Sequence, residues 1–173
     1  EKFPFDFQNK DNIFKTLEPY GEYLKEKTSH KKIIIKLNCN RPDEQLIKTH
    51  PDAVRAVLDF LSPFYREQIL IGESTSGEEP TRVTYDHYGL YTLEKEYNAK
   101  LVELNDWPVR YHWILDSNLK PEVIGVLTPF LDPDYFIISV TPLKTHGDVV
   151  VTLSLKNVVM GAPKKRPNEN INF

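Results

Sequence analysis

The most regular stretch of the chain is Lys31-Lys32-Ile33-Ile34-Ile35-Lys36-Leu37-Asn38, a β-branched run bounded by polar residues. Continuous apolar character, rather than alternation, is how a strand covered on both faces of a parallel sheet reads. Gln68–Gly72 (QILIG), Lys100–Asn105 (KLVELN) and Tyr135–Leu143 (YFIISVTPL) follow the same pattern. The last of these is predicted to end at Pro142, whose ring nitrogen cannot donate to a ladder. Val109–Leu115 is different, with Tyr111 and Trp113 alternating against Arg110 and His112, and this predicts an edge or one-sided strand.

Helical spacing occupies the intervals. Between Asp11 and about Lys27, Ile13, Phe14, Leu17, Tyr20 and Leu24 fall near a helical period that Pro19 and Gly21 interrupt, which predicts two short helices. Pro51 after Thr49-His50 reads as a helix start, since proline suits a first turn and a short polar residue before it can cap free N–H groups. Val54, Val57, Leu58 and Leu61 form the apolar stripe of that helix, which should end near Pro63. A further helical stretch is expected over residues 81–98, broken near Gly89. Val123–Leu131 is open between strand and helix, and the alternating Phe3, Phe5 and Phe7 are open between an edge strand and a docked arm. Val149–Met160 is read as a helix from its place after a loop and its end at Gly161-Ala162-Pro163, although its β-branched start has strand propensity.

Strands alternating with amphipathic helices argue an α/β fold, a layered α/β/α arrangement with an open, mostly parallel sheet and right-handed crossovers. The expected organisation is an N-terminal helical or irregular arm (1–30), an α/β domain (31–163) and a basic, polar tail (164–173). With 173 residues, 40% hydrophobic and 27% charged, the chain has the material for one core and enough charge for solubility. A net charge of -3 argues against nucleic acid, whose ligands usually carry a basic excess. The single cysteine, Cys39, excludes an intramolecular disulfide framework and any multi-cysteine cluster built from this chain alone, so a reducing, cytoplasmic setting is expected. No run of 18 apolar residues is present, and no membrane span is expected.

In open parallel sheets, ligands bind outside the carboxyl ends of the strands. The residues at those positions here are Asn38, Cys39 and Asn40; Glu73, Ser74 and Thr75; Asn105 and Asp106; and Lys144, Thr145 and His146. Lys144-Thr145-His146 is the sharpest segment, because an amine, a hydroxyl and an imidazole on one loop can bind an anion and move a proton at neutral pH, or equally form a solvated polar loop. Lys156-Asn157 follows, with Lys156 sharing a helical face with Thr152 by i, i+4 spacing. His50 sits at a predicted helix N-terminus, where anions bind, or is simple surface. Cys39 is either a nucleophile or a buried small hydrophobe. Glu73, Asp106 and His146 offer carboxylate and imidazole metal ligands but without any H-x-x-x-H or H-E-x-x-H spacing, so no metal is assigned. Lys164-Lys165-Arg166 reads as a solvated charge run.

Several of these segments match one pattern: Ile33–Asn38 as an IKxN first strand, Thr49-His50-Pro51 opening a helix, and Gly72-Glu73-Ser74 after the second strand. The most specific part is Pro142-Leu143-Lys144-Thr145-His146 followed by Val151-Thr152-Leu153-Ser154-Leu155-Lys156-Asn157 and Gly161. From about Lys31 to Pro163 the chain resembles the family of bacterial and archaeal proteins called domain of unknown function 362. The resemblance implies an α/β domain that in many relatives is joined to ferredoxin-type iron–sulfur modules, and it supplies no reaction. This chain lacks a ferredoxin cysteine run, so cluster binding does not carry over. The family's domain normally continues past the lysine–asparagine segment, and on that basis the chain is expected to be the N-terminal part of a larger unit.

These readings lead to an enzyme-like pocket for a small anionic ligand, carboxylate or phosphate. Lys144 and Lys156 would be its clamps and His146 its acid or base, with Asn38, Asn40, His50, Glu73, Thr145 and Asn157 binding or orienting the ligand. The alternative is a non-catalytic accessory domain that docks an iron–sulfur redox partner, for which an exposed apolar patch around Tyr111 and Trp113 would speak. No cofactor is named by the residues.

Overall fold

The computed structural model describes residues 10–39, 47–75, 80–147 and 150–165. In chain order the elements are α1 (Lys10–Leu17), α2 (Gly21–Thr28), β1 (Lys32–Lys36), α3 (Pro51–Leu61), β2 (Ile69–Glu73), α4 (Thr81–His87), α5 (Thr92–Glu96) and β3 (Ala99–Glu103). They continue with β4 (Val109–Leu115), β5 (Pro121–Leu127), β6 (Tyr135–Ser139), β7 (Lys144–Thr145), β8 (Val151–Thr152) and α6 (Ser154–Gly161). Strands β3-β2-β1-β6 make one four-stranded sheet in that order, parallel at every junction.

The period of two along β1 divides the core. Ile33, Ile35 and Leu37 face one side, where they meet Val54, Val57, Leu58 and Leu61 of α3, Tyr85 of α4 and Leu93 of α5. Ile13 and Leu17 of α1 pack onto the same cluster. Ile34 faces the other side with Leu104 and Leu127, beside Leu70, Val102, Val109 and Ile137. Helices therefore cover one face, and the second face is closed by the β4–β5 hairpin and, nearer the strand tips, by α6. With both faces covered, the uninterrupted Ile33–Ile35 run is what burial requires.

Five expectations change in detail. Val109–Leu115 is a strand, but it lies in a separate antiparallel pair with β5. Only residues 104–108 separate it from β3, whereas a parallel return needs a crossover of about a dozen residues or more. Val123–Leu131 resolves into β5 followed by a 3-10 turn, Thr128–Phe130. The ladder of β6 stops at Ser139, before Pro142. In Val149–Met160 the β-branched start prevails: Val151–Thr152 pairs antiparallel with Lys144–Thr145, and the helix begins only at Ser154. Thr152 is thus outside the helix, and the i, i+4 face it was to share with Lys156 does not exist. At the start of α3 the capping residue is His50 rather than Thr49, its Nδ1 accepting from the Asp52 N–H at 3.2 Å. Phe3, Phe5 and Phe7 lie outside the described residues. Among the described residues no helix is long and apolar enough to cross a membrane.

Candidate functional site

Connections from β1 run outward through β2 to β3, and β6 then returns to the other side of β1. The direction of winding reverses between β1 and β6, and the crevice outside their carboxyl ends is the place where such sheets hold ligands. Polar side chains from six segments of the chain meet there, at residues 36–38, 49, 73, 139, 144 and 157.

Lys36 is the last residue of β1, and the strand period puts it on the Ile34 face, directly under α6. Its side chain is 1% exposed and that of Glu73, at the end of neighbouring β2, 2%. Lys36 Nζ donates to Glu73 Oε1, to the Leu37 carbonyl at 2.8 Å and to Asn157 Oδ1 at 3.2 Å. These acceptors engage all three ammonium protons. Glu73 is held equally well, with Oε1 accepting from the Ser74 N–H and Oε2 from the Cys39 N–H, each at 2.7 Å. A buried ion pair is tolerable only with such complete hydrogen bonding, because removing two charges from water costs several kcal/mol per ion. Space for Lys36 depends on a glycine. A Cβ on Gly161 would lie 2.7 Å from Lys36 Cε and 3.2 Å from both Nζ and Ser74 Oγ, so the end of α6 reaches the lysine only without a side chain.

Asn157, on the first half of α6, spans the crevice. Its Nδ2 donates to the Leu37 carbonyl and to Ser139 Oγ, both at 3.0 Å, joining the tips of β1 and β6. Its Oδ1 accepts from Lys36 Nζ and from Asn38 Nδ2, the latter at 3.1 Å. Thr49 makes a second stitch between the same strands, accepting from the Asn38 N–H at 2.8 Å and donating to the Val140 carbonyl at 2.6 Å. Lys144, at the start of β7, closes the arrangement. Its Nζ donates to Asn38 Oδ1 and to the Ile47 carbonyl, both at 2.7 Å. Among the described residues no buried side-chain nitrogen or oxygen lacks a partner, which is the condition for a stiff polar network.

Beside this network, Lys165 Nζ donates to the Met160 carbonyl, and its ammonium is held below the usual lysine range by burial and by the neighbouring charge of Lys36. At the end of β3, Glu103 accepts from the Thr81 N–H at 2.9 Å and from the Thr81 hydroxyl at 2.5 Å, and burial raises its carboxyl above the ordinary value. Asn105 donates to the Thr75 carbonyl at 3.1 Å.

A family model described as "Domain of unknown function (DUF362)" matches residues 33–172. The chain belongs to the DUF362 family. The matched span starts in β1 and takes in α6, so the crevice and every side chain of its network belong to the DUF362 domain. Neither the curated proteins nor the solved structures contain a match to this chain.

Of the residues expected at the site, the DUF362 domain brings Asn38, Glu73, Lys144 and Asn157 into one hydrogen-bonded group. Thr145 and His146 follow Lys144 on the exposed side of the β7–β8 turn. Lys156 is half-buried and outside the network, although it adjoins Asn157. His50 is exposed and engaged in capping α3. Asn40 lies outside the described residues. Among the described residues no three His, Cys, Asp or Glu side chains gather as a metal would require, Glu73, Asp106 and His146 included.

Cys39 is fully buried, and its thiol is pushed up to about 12 by burial first and by the Glu73 carboxylate second. It is a protonated small hydrophobe at neutral pH, the second of its two readings. Native protein is therefore expected to leave Cys39 unmodified by a thiol-selective reagent such as DTNB at pH 8, and denatured protein to react with one equivalent. Rapid reaction of the folded chain would contradict this.

Sequence reading missed Lys36, Thr49, Ser139 and Lys165. The signal for Lys36 was present: a lysine on the inward period of a strand buried on both faces must have a partner. Lys165 was assigned to a solvated run, and only the fold shows its ammonium turned back onto the last turn of α6.

Proposed function

We propose that this DUF362 domain binds a small anion, a carboxylate or a phosphate, in an enzyme-like pocket outside the carboxyl ends of β1 and β6. The observation that carries the reading is the contact of Lys144 Nζ with Asn38 Oδ1 at 2.7 Å, on a rigid polar network at the point where the sheet's winding reverses. Charge supports an anion over a cation. Among the described residues, Lys36, Lys144 and Lys165 bring three ammoniums to this network and Glu73 the one carboxylate paired with them.

Lys36, Glu73 and Asn157 are held by buried hydrogen bonds at the tips of β1, β2 and β6 and act as positioning residues. Lys144 is the electrostatic clamp, since it is the half-buried cation on the outer side of the network. Lys156, half-buried beside Asn157 but outside the network, is given no role in this reading. His146, two residues along and thus within roughly 7 Å of backbone reach, is the acid or base for a bound substrate. Asn38 orients the ligand through its amide. A buried, non-ionised Cys39 suits the cytoplasmic setting that the cysteine count suggests.

Calorimetric titration with inorganic phosphate, and separately with malonate as a carboxylate probe, tests the reading. One of the two is expected to bind, and Lys144→Met to weaken that binding about tenfold or more, as loss of a charge-assisted hydrogen bond does. Absence of binding by either probe, or binding indifferent to Lys144→Met, would overturn the proposal.

A further inference from the structure

Among the described residues, the β4–β5 hairpin leaves one backbone edge open. Asp116 N donates to the Lys120 carbonyl at 2.9 Å just beyond the paired strands. Bonded and non-bonded pairs alternate along an antiparallel ladder, so Ile114, His112 and Arg110 turn their backbone groups toward β5. Val109, Tyr111, Trp113 and Leu115 then turn theirs outward. The far edge of β5 is occupied, because Leu127 N donates to the Ala162 carbonyl and Lys164 N to the Gly125 carbonyl, both at 2.8 Å. Among the described residues no strand lies on the outer edge of β4.

Most of the exposed side chains along that edge are apolar or aromatic. Tyr111 is 74% exposed, Trp113 75% and Leu115 61%. Proteins usually blunt an exposed edge with lysine, proline or a bulge. The VRYHWIL sequence of β4 has no lysine or proline, and its register with β5 is unbroken from Val109 to Leu115.

We infer that β4 pairs antiparallel with β4 of a second copy of this chain, about a two-fold axis at Trp113. Charge complementarity selects that centre. Trp113 then faces Trp113 of the partner subunit, Tyr111 faces the partner's Leu115, and Arg110 faces the partner's Asp116, every contact occurring twice by symmetry. Arg110 and Asp116 fall at a non-bonded pair, where facing side chains approach most closely. A centre at His112 would instead put Arg110 against Ile114. The product is one four-stranded antiparallel sheet, β5-β4-β4-β5, with its aromatic strip shared between copies. Asp116 Oδ1 already accepts from the Asn118 and Lys120 N–H groups at 2.8 Å, and a carboxylate has further lone pairs for a guanidinium.

Sedimentation of the chain across roughly 1 to 100 μM, a range bracketing ordinary dimer affinities, tests this surface. A concentration-dependent dimer is expected. Trp113→Lys and Arg110→Glu, both at exposed positions, are each expected to raise its dissociation constant about tenfold or more through like charges set opposite one another, with thermal unfolding by circular dichroism unchanged at concentrations where wild type and variant are both monomeric. Trp113→Cys is expected to cross-link to itself under mild oxidation, since bonded antiparallel pairs have Cα atoms about 5.5 Å apart, within disulfide range. Cys39 is too buried to compete. A monomeric wild-type chain overturns the inference, and so does a dimer that ignores both charge substitutions and yields no Trp113→Cys cross-link. An edge that stays monomeric and binds an iron–sulfur protein instead also overturns it.

Discussion

Lys36→Met is expected to lower the unfolding free energy by about 3–5 kcal/mol, the usual cost of leaving one member of a buried ion pair alone. Methionine preserves most of the length that passes beneath Gly161, so the loss reports charge and hydrogen bonding rather than a cavity. Glu73 would keep the Ser74 and Cys39 N–H groups as donors but lose its ion pair with Lys36. Glu73→Gln is expected to cost a comparable amount, because Lys36 then loses the carboxylate it is paired with. Urea unfolding of the two single variants and the double variant makes the decisive comparison. The double variant should cost clearly less than the sum of the singles, since neither then strands a charge. Strictly additive losses would show that Lys36 and Glu73 do not stabilise one another.

Asn157→Leu is the second large effect. Leucine is near in volume but takes four hydrogen bonds away at once: the acceptor for Lys36 Nζ and Asn38 Nδ2, and the donor for the Leu37 carbonyl and Ser139 Oγ. A buried polar group without a partner costs about 1–3 kcal/mol, and with partial relaxation a total of about 3–5 kcal/mol is expected in denaturant unfolding. Binding of the phosphate or malonate probe should fall with it, because Asn38 would no longer be held where Lys144 meets it. Lys156→Met, one residue earlier and outside the network, is expected to cost less than about 1 kcal/mol. Equal losses at the two positions would refute the assignment of Asn157 as the residue that joins β1 to β6.

The buried-network variants and the edge variants probe different parts of the molecule. Trp113 and Arg110 lie on an exposed hairpin strand, whereas Lys36, Glu73 and Asn157 lie at the tip of the parallel sheet. Loss of self-association without loss of anion binding, or the reverse, is therefore interpretable.

Much of the fold was legible because burial on both faces leaves a mark on a strand that needs no partner to be read. Ile33–Ile35, Ile69–Ile71 and Ile137–Ile138 are apolar without alternation, and the stripe of α3 recurs at helical spacing, so four parallel strands and their covering helices follow from local pattern. Asn38, Glu73, Lys144 and Asn157 were accessible by the same route, as polar residues after strands or in a motif shared with a family. The i, i+4 pairing of Lys156 with Thr152 failed because local sequence offered two competing states for Val149–Met160. The cross-strand contact of Val151–Thr152 with Lys144–Thr145 settled which one forms.

The sequence by itself determined the parallel α/β class, the family and the segments that supply the polar rim, because these depend on periodicity and on short motifs. Only the tertiary structure decided that β6 returns beside β1, that Lys36 is a buried cation, and that Asn157 rather than Lys156 enters the crevice. The physical reason is sequence separation. Lys36 meets Asn157 across 121 positions and Asn38 meets Lys144 across 106. Such contacts follow from strand order and from the register of α6 over the sheet, which no local pattern of hydrophobic and polar residues encodes.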